Sequence, residues 1–163
     1  MLQILNFMRA RALHDLKWVR GLFALVLALT LVSLLTPGDQ VLAFKQWVYG
    51  WIPFAEQLDD ADVTHNGDKV VHAFLFACLG CLAVKGWVLR RQWMGVLAGL
   101  VWLAPQTEWA QTYIPGRGAS WGDIAADVAG LAVGVAWALW QRRRNETRLA
   151  REALLGFASA DRA

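Results

Sequence analysis

"TEWAQTYIPGRGASWGDIAADVAGLAVG", residues 107–134, places Glu108, Arg117, Asp123 and Asp127 beside or inside stretches apolar enough to cross a bilayer. A charge facing hydrocarbon costs roughly 2.5–3.5 kcal/mol on insertion scales and more in simulations. These groups must therefore face protein, water or a ligand, which requires helices packed against one another. The spacing says how. Asp123, Asp127, Gly130 and Gly134 fall at offsets of 0, 4, 7 and 11, which at about 100° per residue confines them to a stripe under about 70° wide. Gly130-x-x-x-Gly134 is the small-x-x-x-small pattern through which membrane helices approach closely. The acids thus face whatever the glycines pack against.

Working outward, 57% of the 163 residues are hydrophobic, 18% are charged and ten are Trp. That balance points to a small membrane protein rather than a soluble domain. A hydrocarbon core of roughly 30 Å needs about 20 apolar residues in a helix, and four segments come close: about 18–35, 70–89, 93–114 and 124–140. Thr36-Pro37-Gly38 ends the first, because Pro cannot continue the helical hydrogen bonds. The expected fold is all-α: one polytopic membrane domain over 1–163, a bundle of four transmembrane helices with an aromatic connection on the outer surface. That connection, 37–67, contains "FKQWVYGWIPF", whose rings suit the headgroup region. The tract "EQLDDADVTHNGD" after it reads as a solvated loop in preference to a cation-binding one.

Residues 1–20, 85–91 and 141–163 carry thirteen of the sixteen Lys and Arg, and the other side carries Lys45, Lys69 and Arg117. The positive-inside rule then puts both termini in the cytoplasm, with the chain in the cytoplasmic (inner) membrane. The tail 141–163 reads as a basic helix at the cytoplasmic face, attractive to anionic membrane lipids. The basic blocks flank apolar runs, so the net charge of +3 implies no nucleic-acid partner. A second reading of the N-terminus is a signal peptide cleaved after Ala43; its long basic region and Pro37 favour a retained span. Cys78 and Cys81 lie in an apolar run and read as packing residues, not a redox or zinc pair.

With this topology, the polar positions of spans two to four, Lys85 apart, gather in the outer half. Asp68 and His72 are four apart on one face, with Lys69 between them, and Glu108 and Gln111 are three apart. Pro105 frees a carbonyl near Val101 and makes a kink normal there. One cluster is the economical expectation. In the plain reading, Asp68, Glu108, Asp123 and Asp127 pair with Lys69 and Arg117 to fix how the helices assemble. Four acids against two cations leave two carboxylates for protonation, solvent or a bound cation to cover.

"DKVVHAFLFACLG" followed by "EWAQTYIPGRGASWGDIAADVAGLAVG" resembles the VanZ-like family of bacterial integral membrane proteins over about residues 66–135. The matching order is Asp-Lys-x-x-His, Glu-x-x-Gln, Pro-x-Arg, Ser-x-x-Asp and the spaced glycines. By position, the family's polar signature falls on Asp68, Lys69, His72, Glu108, Gln111, Arg117, Ser120 and Asp123, with Gly130 and Gly134 as packing residues. Asp127 stands where the family pattern usually has Asn; an ionised Asp only accepts hydrogen bonds, so a pair with Asp123 would share a proton or hold a cation. The resemblance implies a multi-span envelope protein and, through its named member, a link to resistance to teicoplanin, a lipid-bearing glycopeptide. It supplies no reaction.

Three functions follow as alternatives. The preferred one is a non-enzymatic protein whose outer-leaflet cluster binds an amphiphilic or lipid-linked molecule, such as a cell-wall precursor or glycopeptide, or a partner membrane protein. Arg117 would hold phosphate or carboxylate through its planar fork, and Trp47, Trp51, Trp109 and Trp121 would contact the amphiphile or anchor the chain at the interface. The second is an intramembrane enzyme acting on a lipid-linked phosphate or acyl group, with His72 as base, Asp68 or Glu108 as its orienting partner, Arg117 and Lys69 stabilising negative charge, and Ser120 as nucleophile. A divalent cation, Mg²⁺ or Mn²⁺, would use His72, Glu108, Asp123 and Asp127. The third is a structural subunit of an envelope complex.

Overall fold

The computed structural model describes residues 2–51, 63–87 and 89–160, and its regular structure is entirely helical among the described residues. The helices are α1 (Leu2–Leu35), α2 (Gly38–Tyr49), α3 (Val63–Gly86), α4 (Arg90–Gln111) and α5 (Trp121–Ala160). Three carry stretches long and apolar enough to cross a membrane: Leu16–Leu35, Gly67–Gly86 and Trp121–Glu152. Leu22, Leu25, Leu29 and Val32 on α1 and Val70, Val71 and Phe74 on α3 are exposed. That is costly in water and ordinary against lipid.

Several boundaries differ from those expected, each for a local reason. The second apolar segment begins as a helix at Val63 and stops at Gly86, so residues 63–68 extend α3 instead of forming a turn-rich loop. The third ends at Gln111, where Tyr113 and Ile114 donate to the carbonyls of Ala110 and Gln111 in a tight turn. Gly116 completes the reversal with a φ of 72°, a conformation that glycine adopts without steric cost. The fourth does not stop at residue 140: α5 runs 40 residues through the basic tail, about 60 Å at helical rise. The expected aromatic connection contains α2, on which Leu42, Phe44 and Trp47 are exposed. The candidate cleavage position Ala43 falls within α2. Residues 52–62, most of the acidic tract, lie outside the described residues.

α3 and α5 run parallel and make the most extensive helix pair. A Cβ added at Gly130 would run into the carbonyl of Ala73, and one at Gly134 into that of Ala77. From the other side, a Cβ at Gly80 would stand 2.6 Å from the carbonyl oxygen of Leu131. Glycine is thus the residue that lets these backbones touch. α1 lies antiparallel on α3. Arg20 donates from Nε to the carbonyl of Gly86 at 2.9 Å and sits 5.2 Å from the centre of the Trp87 ring, whose edge meets Phe23. Phe23, Leu34, Phe76, Leu79, Leu100 and Leu131, from four helices, form the apolar core.

Candidate functional site

At the end of the bundle where α1 and α4 finish and α5 begins, three helix ends with unsatisfied backbone groups meet. Ser120 is the N-cap of α5: its Oγ accepts from Gly122 N–H at 3.1 Å, and its carbonyl accepts from Asp123 and Ile124. Its own N–H donates to Glu108 Oε2 at 2.8 Å. A carboxylate on α4 is thereby bound to the N-terminus of α5, where the helix carries partial positive charge.

One turn deeper, His72 of α3 lies with Nδ1 3.0 Å from Asp127 Oδ1 of α5 and 4.0 Å from Glu108 Oε1. His72 and Glu108 are each 2% exposed and Asp127 is fully enclosed. With Asp127 ionised the carboxylate only accepts, and His72 then donates to it from Nδ1. Asp123, half-buried in the first turn of α5, offers an oxygen to the same place: one ligand atom each of His72, Glu108 and Asp123 lie within 4.8 Å of one another. Among the described residues, Glu108 Oε1 and Asp127 Oδ2 are buried without a hydrogen-bond partner. Buried polar atoms are nearly always satisfied, so two orphan carboxylate oxygens beside one imidazole demand an explanation.

Lys69 lays its side chain against the first turn of α5: a Cβ at Gly122 would be 2.7 Å from Lys69 Cε. Gln111 and Arg117 lie elsewhere. Gln111 donates from Nε2 to the carbonyl of Leu34 at 3.0 Å. Arg117 donates from Nε to Thr36 O and from Nη2 to Ser33 O, both at 3.2 Å. The last carbonyls of a helix have no partner within it, and these two side chains satisfy those of α1.

The pairing of Arg117 with the acids is therefore replaced by capping. The residue hydrogen-bonded to His72 is Asp127, not Asp68, which is exposed, nor Glu108, which is 4.0 Å away. His72, Glu108, Asp123 and Asp127 do converge. Two features escaped sequence reasoning. Ala73-x-x-x-Ala77 is a small-x-x-x-small pattern that faces the glycines, and a helix stopped by Pro37 leaves carbonyls seeking donors. Thr107, 3% exposed, was also passed over; its hydroxyl donates back to Ala104 O at 2.8 Å.

Chemically, the cluster is enclosed enough to hold a proton or a small ion, while Trp109 and Trp121, which follow Glu108 and Ser120 in sequence, and Tyr113 are exposed. No family model matches the chain, and no curated protein or solved structure matches it.

Proposed function

We propose that this chain is a VanZ-like protein of the bacterial cytoplasmic membrane. It crosses four times with both termini inside, and it binds an amphiphilic or lipid-linked molecule at the outer leaflet. The crossing to be added to the three long apolar helices is α4, third in chain order. Its Pro105–Gln111 end is polar, but Thr107, Glu108 and Gln111 are buried, whereas Met94, Val101, Trp102 and Trp109 are exposed. A helix whose polar side faces the bundle and whose apolar side faces outward suits lipid. The cluster of Arg in 141–151 and its absence from 21–84 support this orientation.

The observation that carries the binding function is the aromatic rim beside the buried cluster. Trp109 and Tyr113 meet edge to face at 5.4 Å, and Trp121 is 87% exposed. Glu108 and Arg117 tie down the turn between them, so the rim is presented rigidly. Aromatic rings with polar edges bind amphiphiles at the headgroup level. A lipid-linked cell-wall precursor or a lipid-bearing glycopeptide such as teicoplanin has the required chemistry, and the VanZ resemblance favours that context. Native mass spectrometry of the detergent-purified chain tests it. A bound amphiphile should be retained by wild type and lost from Trp109→Ala/Trp121→Ala with the melting temperature unchanged; equal retention would reduce the rim to a bilayer anchor.

One observation favours a second function, an intramembrane enzyme. The His72–Asp127 hydrogen bond is the base-and-orienter half of an acid–base site. Against it, His72 is enclosed, and the Ser120 hydroxyl is engaged in capping α5. A subunit role in an envelope complex is the third, and would leave the purified chain free of any small molecule.

A further inference from the structure

We propose that His72, Glu108 and Asp123 bind a divalent transition-metal cation of the Mn²⁺ or Zn²⁺ kind, with Asp127 orienting His72. The proposal is independent of what the aromatic rim binds. Three observations meet in it. One ligand atom from each of the three residues lies within 4.8 Å of the others, close enough for modest side-chain rotation to bring them to metal–ligand distances of about 2.0–2.2 Å. Glu108 presents one oxygen outward to Ser120 N–H and leaves the other, Oε1, buried, without a partner and turned toward His72. Asp127 meets His72 Nδ1 at 3.0 Å; that bond uses Nδ1 and leaves Nε2 as the nitrogen available to the ion, the carboxylate–histidine arrangement that sets the tautomer and direction of metal-ligating imidazoles.

Charge supports the same conclusion. Three carboxylates converge on one imidazole at the end of a membrane bundle, and Asp127 Oδ2 is a second buried oxygen without a donor. Of the two nearby basic side chains, Lys69 lies against Gly122 at the start of α5 and Arg117 is directed to the carbonyls of α1, so three carboxylates still outnumber the cations beside them and a bound cation would offset the remainder. One nitrogen and two carboxylate donors form a mixed set. Imidazole suits zinc and the later first-row metals, and carboxylates suit Mn²⁺ and Mg²⁺; the nitrogen disfavours Mg²⁺. Each ligand comes from a different helix, so the ion would join α3, α4 and α5 and fix the turn at 112–120 that carries the rim.

The test uses the full chain purified in detergent without chelator, its metal content measured by mass spectrometry. The same sample is then stripped with EDTA and titrated with Mn²⁺ or Zn²⁺ while thermal unfolding is followed by Trp fluorescence. Wild type should hold about one metal per chain after isolation or reloading, and reloading should raise the melting temperature. Glu108→Gln keeps an acceptor for Ser120 N–H, and Asp123→Asn alters a half-buried side chain, so both fold; each should lose the metal and the thermal shift. Asp127→Asn keeps an acceptor for Nδ1 and should weaken affinity by about tenfold to a hundredfold, the usual effect of such a partner, without abolishing it. A wild-type chain that takes up neither metal and shows no shift overturns the proposal. Equal uptake by wild type, Glu108→Gln and Asp123→Asn also overturns it, by placing the ion elsewhere.

Discussion

Along the single interface between α3 and α5, the two halves adhere by different means. Toward Gly86, Gly130 and Gly134 rest on the backbone of Ala73 and Ala77, with Phe76, Leu79 and Leu131 beside them. Toward Ser120, the same helices meet through His72 and Asp127, with Glu108 reaching in from α4. Helices in lipid gain little from burying apolar surface, so close packing and hydrogen bonds hold them together. The glycine half supplies that packing. The ionisable half is a poor adhesive: polar contacts between membrane helices average only about 0.6 kcal/mol, while charge inside a membrane costs several times that. The contrast teaches that the close approach of the two helices depends on the glycines more than on the ionisable residues.

The largest effect should come from the glycine half. Gly134→Leu forces a side chain against the Ala77 carbonyl, and the helices must separate; overpacking of this kind costs about 3 kcal/mol or more when the obstacle is backbone. Thermal unfolding in detergent should show the greatest loss of any single substitution, and an unchanged transition would mean that the close approach of α3 and α5 is not what stabilises the bundle. The ionisable half should follow with a smaller loss. Glu108→Leu leaves Ser120 N–H without its acceptor, at about 1–3 kcal/mol for an unsatisfied donor. Glu108→Gln keeps an acceptor, so most of that loss should be absent from the same unfolding experiment. If the two variants matched, charge rather than the hydrogen bond would be what stabilises the start of α5.

This contrast was partly legible in the sequence. The stripe of Asp123, Asp127, Gly130 and Gly134 could be read because helical geometry projects offsets onto a face without knowledge of partners. The convergence of His72, Glu108 and Asp123 followed from alternating helix direction. The destination of Arg117 did not, since it depends on where α1 ends in space, and an apolar helix gives no side-chain sign that its terminal carbonyls need donors. Helix ends were misjudged wherever hydropathy was the guide: apolar character stops near residue 140, but the hydrogen-bond ladder of α5 continues through residues with good helical propensity. The polar face of α4 posed the opposite problem, because its composition averages a lipid-facing side and a buried one.

Two arginines extend the comparison to the ends of the bundle. Arg20 satisfies the carbonyl of Gly86 at the end of α3, and Arg117 satisfies those of Ser33 and Thr36 at the end of α1. Lysine carries the charge but lacks the planar fork. Arg20→Lys and Arg117→Lys should each cost about 1 kcal/mol, one net hydrogen bond. Thermal or denaturant unfolding of the double variant should return the sum within about 0.5 kcal/mol, because Arg20 lies in the middle of α1, about 20 Å of helix from the carbonyls that Arg117 caps, and the two share no partner. A larger combined loss would show that α1 transmits strain along its length.

The smallest effect tests whether a signature residue belongs to the cluster at all. Asp68 lies one helical turn before His72, yet Asp68 is exposed while His72 is enclosed. Four residues advance an α-helix by about 400°, so the two side chains diverge by about 40° and stand about 6 Å apart along the axis. That is enough to carry Asp68 past the start of α5 while His72 remains against Asp127. Asp68→Asn removes a charge that the bundle does not bury, and its unfolding free energy should stay within about 0.5 kcal/mol of wild type, as for other surface changes. Metal uptake, if the cluster binds a cation, should be equally unaffected. Retained stability with lost amphiphile binding would instead make Asp68 part of the outer surface that meets the ligand, separating that surface from the enclosed group one turn below it.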